Sequence, residues 1–475
     1  MLRRSAPLWL AVAAVAAFLL FFYRLDGVGL IGPDEPRYAS IGREMAASGD
    51  WITPRLWGEP WFEKPPLLYW MTAAGFKAGL GAELAPRLPM ALLASAFLGF
   101  FFWALRREFG GRAAAFSTAI LGSSAGYLAY TRVAVTDLPL AATFTGAVLL
   151  LLPWIARGER RRLPAAGALL GAAVLAKGLV PLVLIAPLAW FARKRWREAW
   201  PAIAGFAVVA GPWYALVTAR NGSAFTDEFF IQHHFGRFAS SALQHEQPFW
   251  FYVPVFLALL FPWTPVATLI FRTERDARRR ALLTVVIFGL VFFSLSRNKL
   301  PGYLLPLLPA TAALAGVAIA EAKRPRYVLA ACAALLGAVP LMAAILPAAI
   351  EEGITSASFG SAGWPWAVPA LVAAGVIAVR GRRDISIAVI ALGMAAGAAW
   401  TAARTFPALD RTVSARAFWR RAEPLSPRLC VGTAHRSWRY NLNYYSVRPL
   451  PDCEAAGRTL RIEQAPGRPA AIMQD

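Results

Sequence analysis

The residues of this chain that could do chemistry are concentrated in one charged stretch, residues 33–66. It contains Pro33-Asp34-Glu35-Pro36-Arg37-Tyr38 and, after an amphipathic run, Trp61-Phe62-Glu63-Lys64-Pro65-Pro66. Carboxylates can act as general bases or bind a metal ion, whereas lysine and arginine can neutralise an anionic group. Such a mixture suits a reaction at a phosphate group, because the negative charge that develops there must be stabilised.

A second group of charged and aromatic residues lies beside long apolar runs elsewhere in the chain. Its members are Asp137, Lys177, His233, His234, Arg237, His245, Arg297, Lys299 and Tyr303. A charge at membrane depth is costly and is therefore a candidate for function. Single residues also have structural explanations: a lysine can extend its amine to the membrane surface, and a carboxylate is favoured at a helix N-terminus. Together with the first stretch, the group favours a reaction on a lipid phosphate.

The composition predicts that membrane-spanning helices position these residues. The chain has 475 residues, of which 58% are apolar, whereas soluble domains contain about 45–50%. Many apolar runs reach the roughly 17–25 residues that a helix needs to cross a bilayer. The formal net charge is +22, but many lysines and arginines stand in short clusters between apolar runs, as is typical of cytoplasmic loops. We therefore predict an all-α polytopic membrane protein with no nucleic-acid partner.

About thirteen apolar segments are predicted to span the membrane. The first, Ala6–Tyr23, could instead be a signal peptide, but no small-residue cleavage site follows it. The apolar stretch around Lys177-Gly178 is too long for one span and carries a charge in its middle, so we divide it there. The other predicted spans are 86–105, 112–131, 137–156, 163–177, 178–192, 199–218, 249–271, 281–296, 302–320, 327–349, 363–380 and 384–402.

Alternate connections between these spans are basic, which predicts the orientation of the chain. The basic connections are Leu105–Arg112, Arg157–Arg162, Arg193–Arg197, Arg272–Arg280, Lys323–Arg326 and Arg380–Arg383. Because cytoplasmic loops are enriched in lysine and arginine, we predict a cytoplasmic N-terminus and an outer C-terminus. The loops 24–85 and 219–248 then lie on the outer face, together with the candidate residues.

Two parts of this outer face are predicted to have structure of their own. In loop 24–85, the segments Tyr38–Ala47 and Pro65–Leu80 suit helices that lie in the membrane interface. Residues 403–475 are polar and follow a transmembrane domain formed by residues 1–402. We interpret them as a small α/β domain that packs against the membrane part, because about 70 residues provide only a marginal core.

Short pieces and cysteines add detail to this C-terminal part. Arg428–Gly432 and Thr459–Glu463 have the composition of strands. Cys430 and Cys453 could pair if the compartment is oxidising, and their spacing leaves both states open. Cys332 lies within an apolar run and is predicted to be a packed thiol.

Several motifs together resemble those of one enzyme family. They are Asp34-Glu35-Pro36-Arg37-Tyr38, Arg43-Glu44-Met45, Ser48-Gly49-Asp50-Trp51, Phe62-Glu63-Lys64-Pro65, Thr136-Asp137, Lys177-Gly178, His234-x-x-Arg237-Phe238 and Lys299-Leu300-Pro301-Gly302-Tyr303-Leu304-Leu305-Pro306. The pattern is similar to that of the aminoarabinose–lipid A transferases, which are GT-C glycosyltransferases related to the protein O-mannosyltransferases. The resemblance covers most of the chain. It implies the GT-C fold, with about thirteen spans and an outer C-terminal domain.

The resemblance also implies roles for individual residues. Asp34 matches the essential acidic residue of the first outer loop, and Glu63 and Asp137 match further acidic positions of the site, so these three are the predicted catalytic residues. Lys64 matches the lysine that contacts the phosphate of the carrier lipid. The other implied contacts to the donor's phosphate or sugar are Arg37, Tyr38, Trp61, Lys177, His234, Arg237, Lys299 and Tyr303. Trp61 stands where the lipid A enzymes have a tyrosine, so the resemblance leaves the sugar open.

The activity implied by this resemblance is an inverting, single-displacement sugar transfer at the bacterial inner membrane. The donor would be a sugar on undecaprenyl phosphate, and the acceptor would be lipid A on the periplasmic side; membrane lipids would surround both. The same chemistry on a polysaccharide or a protein is the alternative. A flippase for a lipid-linked sugar is a rival, although the chain shows no inverted repeat. No cofactor is required, but a divalent cation could be held by Asp34, Glu63 and His234.

Overall fold

The fold is mostly helical. The computed structural model describes residues 6–229, 246–272, 276–351, 364–456, 460–465 and 468–474. Its α-helices are Ala6–Ala17, Asp34–Ser48, Leu67–Lys77, Leu84–Phe109, Gly111–Gly122, Ala125–Thr131, Asp137–Arg157, Leu163–Lys177, Val180–Ile185, Ala189–Ala192, Trp200–Asn221, Ser223–Thr226, Tyr252–Leu260, Ala267–Ile270, Ala277–Leu295, Leu308–Glu321, Arg326–Leu335, Val339–Glu351, Trp364–Arg380, Arg383–Thr412, Arg416–Ala422, Arg436–Tyr445 and Cys453–Ala456. A π-helical turn covers Phe18–Phe22, and the 3-10 turns are Ala186–Leu188, Trp196–Ala199, Phe249–Phe251, Thr264–Val266, Pro301–Leu307, Leu336–Ala338 and Glu423–Arg428.

Helices that can cross a membrane dominate this architecture. Six helical segments of the described residues are long and apolar enough, namely Leu84–Phe109, Asp137–Arg157, Trp196–Asn221, Pro301–Glu321, Arg326–Pro347 and Arg383–Arg404. A seventh candidate joins Phe249–Leu260 to Thr264–Ile270 through a bend of 113°. The prediction of a multi-pass helical membrane protein is confirmed. Other predicted spans, such as Leu163–Lys177, are shorter apolar helices.

Two spans form the centre of the bundle. The apolar windows of Asp137–Arg157 and Pro301–Glu321 are 83% and 89% buried, whereas that of Trp196–Asn221 is only 17% buried. Side chains on an enclosed helix pack on all sides, so their positions are tightly determined. Both central spans begin at candidate residues, because Asp137 opens the first and Tyr303 lies in the first turns of the second.

One predicted continuous span, 112–131, is interrupted in the structure. Its two helices are separated at Ser123, whose hydroxyl accepts a hydrogen bond from Trp263 Nε1 at 3.0 Å. The backbone N–H of Ala125 donates to the carbonyl of Phe261 at 2.8 Å. The hydroxyl and the N–H group at the break thus form hydrogen bonds with residues at the bend between Phe249–Leu260 and Thr264–Ile270. Inside a membrane such polar groups must be bonded within the protein.

The predicted division at Lys177-Gly178 is confirmed. The helix Leu163–Lys177 ends there, Gly178 adopts a φ of +69°, and a new helix starts at Val180. Glycine tolerates this left-handed conformation without a steric penalty. As a result Lys177 is the last residue of its helix, and its side chain can reach beyond the end of the helix.

The first loop contains the two expected helices, Asp34–Ser48 and Leu67–Lys77, joined by a short antiparallel hairpin of Arg55–Leu56 and Glu59–Pro60. We expected both helices to lie on the membrane surface, but Asp34–Ser48 is largely covered by protein. A Cβ atom at Gly42 would lie 2.5 Å from the side chain of Thr72. The close contact between the helices covers the apolar face that the interfacial interpretation would have left to the membrane.

The C-terminal part contains a three-stranded sheet. Leu429–Val431 pairs in parallel with Leu460–Glu463, which pairs antiparallel with Ala471–Gln474, so both predicted strands are present. Cys430 and Cys453 form a disulfide, which resolves the alternative left by the sequence. Cys332 is a buried free thiol, as predicted.

This C-terminal part packs directly onto the first loop. Asn441 Nδ2 donates to the carbonyl of Gly32, and the Tyr445 hydroxyl accepts from the backbone N–H of Leu30 at 2.9 Å. Arg416 donates to the carbonyl of Asp26 at 2.7 Å. The chain just before Asp34 is therefore held by residues about 400 positions later in sequence.

A buried ion pair connects these parts. Arg87 Nε and Nη2 donate to the two carboxylate oxygens of Glu35 at 2.7 and 2.8 Å. The remaining donors of Arg87 bind carbonyls in the segment 25–29. The Glu35 carboxylate also accepts from the backbone N–H groups of Ile31 and Ala134 at 2.9 and 3.0 Å. With both side chains almost fully buried, this network satisfies the condition under which a buried charge pair is tolerated.

Removing one charge of this pair is expected to be strongly destabilising. Glu35→Gln leaves the Arg87 guanidinium buried without a counter-charge, which costs about 3–5 kcal/mol. The matched control is Asp384→Asn, which removes the partner of Arg112 in a pair whose side chains are 54% and 57% exposed; exposed pairs contribute about 0–1 kcal/mol. Thermal unfolding in detergent should show a large fall in the unfolding temperature for Glu35→Gln and little change for Asp384→Asn. Similar shifts in the two variants would contradict the assignment of a buried charge pair.

Candidate active site

The candidate residues converge on one cavity of about 360 Å³. Its walls come from the first-loop helix, the segment 63–65, the start of Asp137–Arg157, the end of Leu163–Lys177 and the turn before Leu308. The lining residues are Asp34, Tyr38, Glu63, Lys64, Pro65, Tyr130, Val135, Thr136, Asp137, Leu140, Lys177, Val180, Phe292, Phe293, Ser296, Asn298, Leu300, Pro301, Gly302 and Tyr303. Seven of the predicted site residues are among them: Asp34, Tyr38, Glu63, Lys64, Asp137, Lys177 and Tyr303.

One wall carries a network of two carboxylates and two cations. Arg37 Nη2 lies 2.7 Å from Asp34 Oδ1 and 3.0 Å from Glu63 Oε2, and Lys64 Nζ lies 3.1 Å from Glu63 Oε1. The side chains of Arg37 and Glu63 are 2% and 5% exposed, whereas that of Asp34 is 44% exposed. Asp34 is therefore the carboxylate of this network that is accessible from the cavity.

Helix geometry places Asp34 and Arg37 together. Asp34 is the first residue of the helix Asp34–Ser48 and Arg37 stands three positions later, so the two side chains lie on the same face. The helix N-terminus favours a negative charge at Asp34. The ion pair with Arg37 therefore holds the Asp34 carboxylate at the edge of the cavity.

Arg37 lies behind the carboxylates and within a cluster of aromatic rings. Its guanidinium carbon is 5.1 Å from the ring centre of Tyr38, 5.5 Å from Trp61 and 5.4 Å from Tyr440. Burial alone would lower the pKa of Arg37, but Tyr38, Glu63 and Asp34 outweigh it and raise this pKa above its usual value. Arg37 thus bridges Asp34 and Glu63, and the contact to the donor that the resemblance implied stays a prediction.

Tyr38 lines the cavity next to this network. Its pKa is raised well above its usual value, mainly by burial and also by the negative charges of Asp34 and Glu63. The hydroxyl is therefore protonated at neutral pH and can donate a hydrogen bond. Trp61, the other predicted aromatic wall residue, is not among the lining residues and instead lies against Arg37.

The facing wall carries a second ion pair. Lys177 Nζ donates to Asp137 Oδ1 at 2.6 Å, and both side chains are 13% exposed. The ammonium lies 4.8 Å from the ring centre of Tyr303. A carboxylate at a helix start, a lysine at a helix end and a tyrosine in a turn thus meet at one point of the cavity.

The turn that presents Tyr303 is held from outside the cavity. Lys299 Nζ donates to the carbonyls of Gln247, at 3.0 Å, and Ser296, and Lys299 is not among the lining residues. The Tyr252 hydroxyl bonds to both the N–H and the carbonyl of Leu300 at 3.2 Å. Lys299 thus binds two backbone carbonyls, and the contact to the donor that the resemblance implied stays a prediction.

Two of the predicted site residues, His234 and Arg237, lie outside the described residues. Within the described ranges, no group of three or more His, Cys, Asp or Glu side chains is arranged to hold a metal ion. Asp34 and Glu63, considered above as metal ligands, are joined by the Arg37 guanidinium. The role of His234 and the binding of a divalent cation stay predictions.

Sequence reasoning missed several lining residues, above all Tyr130. This tyrosine stood inside a predicted continuous span, and its spacing from Asp137 gives no signal because the chain turns between them. Glu35 was grouped with the charged loop residues, but it points away from the cavity and into the buried pair with Arg87.

Comparisons with known sequences identify similar proteins. Residues 63–213 match the family described as dolichyl-phosphate-mannose-protein mannosyltransferase. The undecaprenyl phosphate-alpha-4-amino-4-deoxy-L-arabinose arabinosyl transferase of Pseudomonas aeruginosa (strain UCBPP-PA14) is 34% identical over 330 residues, which cover 65% of this chain and 59% of that protein. The chain thus spans about three fifths of the length of the curated relatives it matches.

Comparisons with solved structures identify the same kind of protein as the sequence comparisons. The crystal structure of ArnT from Cupriavidus metallidurans bound to undecaprenyl phosphate superposes with a TM-score of 0.74 and 28% identity, covering 94% of this chain and 86% of that chain. The arabinosyltransferase EmbB from Mycobacterium smegmatis has a TM-score of 0.53 and 12% identity, covering 90% and 42%. At that identity the likeness to EmbB concerns the fold alone. The chain shares the fold of ArnT, and the fold implied by the resemblance is confirmed to this extent.

The close approach at Gly302 provides a test of the cavity geometry. A Cβ atom there would lie 2.7 Å from both Asp137 Oδ1 and the Tyr130 hydroxyl oxygen, so Gly302→Ala should displace the turn. Such overpacking costs about 1–3 kcal/mol. Gly99→Ala is the matched control, because nothing lies within 4 Å of its Cβ position. Thermal unfolding in detergent should show a lower unfolding temperature for Gly302→Ala and no fall for Gly99→Ala. Equal stability of the two variants would contradict the close approach at Gly302.

Proposed function

Because the resemblance to the aminoarabinose transferase and protein O-mannosyltransferase family is confirmed by these comparisons, we propose that this chain is a membrane glycosyltransferase. Its donor is a sugar linked to undecaprenyl phosphate, and its acceptor is presented at the same membrane face. The relatives are named for the transfer of 4-amino-4-deoxy-L-arabinose. Lipid A is the acceptor we propose first, and no cofactor is needed.

One observation carries this proposal. Two lysines and three carboxylates, which come from distant parts of the chain, line a single cavity at the end of a membrane-spanning helix. Cations placed beside a departing phosphate stabilise the charge that grows on it, and a carboxylate accessible to the same space can bind or deprotonate an acceptor. Both requirements of a transfer from a lipid phosphate are present in one place.

The reaction we propose is a single displacement. An oxygen of the acceptor attacks the anomeric carbon of the donor while the bond between that carbon and the phosphate oxygen breaks. Undecaprenyl phosphate leaves with the electron pair, and Lys64 neutralises its charge. If the acceptor is a hydroxyl, its proton passes to Asp34; if it is a phosphate that is already ionised, Asp34 orients it. Attack from the opposite face inverts the anomeric centre.

The two carboxylates of the first wall then have different tasks. Asp34 shares one oxygen with Arg37 and is accessible from the cavity. The side chain of Glu63 is almost fully buried, and its two oxygens face Arg37 and Lys64. We therefore assign acceptor contact to Asp34 and the placement of Lys64 to Glu63. Asp137 contacts the donor from the facing wall, and His234 and Arg237 keep the phosphate-side roles that the resemblance implies.

The proposed location is the bacterial inner membrane, with the cavity and the C-terminal domain on the periplasmic side and about thirteen spans. The helix Asp137–Arg157 supports this, because Asp137 lies in the cavity and Arg157 lies at the opposite end, near Glu108 and Arg278. Arginine clusters favour the cytoplasmic side. The disulfide of the C-terminal part supports an oxidising compartment.

A flippase for the same lipid is the rival, and Asp34→Asn separates the two. The variant keeps Lys64, so we expect undecaprenyl phosphate to bind as in the wild type while kcat for sugar transfer falls by about 10²–10⁴-fold, the usual contribution of a positioned acid or base. Glu59→Gln is the control, because it removes a carboxylate of the same loop from an exposed residue that is not among those lining the cavity. A flippase would continue to move lipid in the Asp34→Asn variant; normal transfer by it would reject the assigned role.

The acceptor can be identified by mass spectrometry of envelope lipids and glycans from cells with and without this protein. We expect lipid A to lose a sugar substituent when the protein is absent. Loss from a polysaccharide or a protein, with lipid A unchanged, would keep the enzyme class and replace the acceptor. The flippase would be supported by a different result in cells without the protein. In those cells the lipid-linked sugar would accumulate on the inner leaflet, and no glycan would be made even when acceptor is supplied.

A further inference from the structure

Tyr130 lines the cavity and carries a hydroxyl group that can both donate and accept a hydrogen bond. Within the part of the chain that the structure describes, no residue forms a hydrogen bond with it. Tyr127, three positions earlier on the same short helix, differs: it is fully buried and donates to the carbonyl of Ala94 at 2.8 Å. A polar group that faces a cavity without a protein partner is available for a ligand.

The position of Tyr130 places this hydroxyl beside the second ion pair. The Cβ position at Gly302 lies 2.7 Å from the Tyr130 oxygen and 2.7 Å from Asp137 Oδ1, so the two oxygens flank the same point. Lys177 Nζ is 2.6 Å from that carboxylate oxygen. A phenol, a carboxylate and an ammonium are thus grouped at one end of the cavity, and the absence of a side chain at Gly302 leaves room for the group.

The hydrogen-bonding capacity of this group suits a sugar ring. The hydroxyl of Tyr130 can donate and accept, the second oxygen of Asp137 can accept, and Lys177 can donate further hydrogen bonds. Sugar hydroxyls both donate and accept hydrogen bonds, so they match the mixed donors and acceptors of these three side chains. Leu140, Val180 and the ring of Tyr303 line the same cavity and offer apolar surface to the carbon skeleton of a sugar.

The opposite wall suits the phosphate instead. Lys64 lies there, and Arg37 is held behind Asp34 and Glu63. The donor joins an anionic phosphate to a sugar ring through one bond, so a site for it needs two adjoining regions of different character. The cavity provides both.

We propose that Tyr130, Asp137 and Lys177 form the subsite for the sugar ring of the lipid-linked donor, and that Tyr130 is a specificity-determining residue that hydrogen bonds to one of the sugar hydroxyls. This inference rests on the proposed function and deepens it. Lys64 then binds the carrier phosphate. Tyr130 distinguishes donors by the hydroxyl groups of the ring, and it makes no contact with the lipid.

The test compares two binding constants in the full-length protein in detergent. One probe is undecaprenyl phosphate without a sugar; the other is a panel of undecaprenyl phosphates that carry 4-amino-4-deoxy-L-arabinose, another pentose or a hexose. Tyr130→Phe should weaken binding of the best sugar-linked lipid by about three- to tenfold, the effect of one lost hydrogen bond. Binding of the sugar-free lipid should not change. Tyr127→Phe, the matched control, should leave both constants unchanged.

A deoxy donor provides a second readout that packing alone would not affect. A sugar that lacks the contacted hydroxyl should bind equally well to the wild type and to Tyr130→Phe. If Tyr130→Phe weakens both lipids equally, or neither, the sugar contact is overturned while the proposed function stands. If the wild type binds the sugar-free lipid as tightly as every sugar-linked one, the subsite is overturned and the carrier site stands. If the wild type binds no lipid of the panel, the proposed function fails as well.

Discussion

The buried pair of Glu35 and Arg87 is the interaction on which the geometry of the cavity depends. Glu35 directly follows Asp34, and the same carboxylate accepts the backbone N–H of Ala134, three residues before Asp137. Both ion pairs of the cavity are therefore positioned relative to one charged group. In a low-dielectric interior an incompletely bonded carboxylate would be very costly, so the network tolerates little displacement of either segment.

Adjacent acidic residues in one helix have opposite roles here because successive side chains of a helix point in directions about 100° apart. Asp34 faces the cavity and keeps an accessible side chain, whereas Glu35 faces the protein core and is fully bonded. Arg37 is on the same face as Asp34 and restrains it from behind. The first turn of this helix thus supplies a reactive group, its support and the anchor that fixes both.

The C-terminal part completes the support of the site although it is far away in sequence. The ring of Tyr440 lies 5.4 Å from the guanidinium carbon of Arg37 and stacks on Trp57 of the hairpin at 5.7 Å. Arg43 donates to the carbonyl of Tyr444 and lies over its ring. Aromatic rings stabilise a buried cation without competing for the carboxylates that bind it. The C-terminal part therefore acts on the site through Arg37.

Local features were readable from the sequence alone. Hydropathy and chain length identified the membrane class, the charge beside Gly178 predicted the helix end at Lys177, and β-prone composition located the strands near Cys430 and Leu460. The motifs named most of the residues that line the cavity. These results follow because helix periodicity, glycine conformation and the cost of charge in a membrane act within a few residues of the chain.

Contacts between distant segments were decided only by the tertiary structure. The sequence could not show that Glu35 pairs with Arg87, predict that Lys299 binds backbone carbonyls, or show that Tyr130 faces Asp137. It left the pairing of Cys430 with Cys453 open. Each of these depends on which helices pack together and at what angle, and that is determined by the sum of many contacts across the bundle. The sequence by itself therefore determined the class of the protein and the chemical groups available to it, whereas the packing of the helices decided which groups meet.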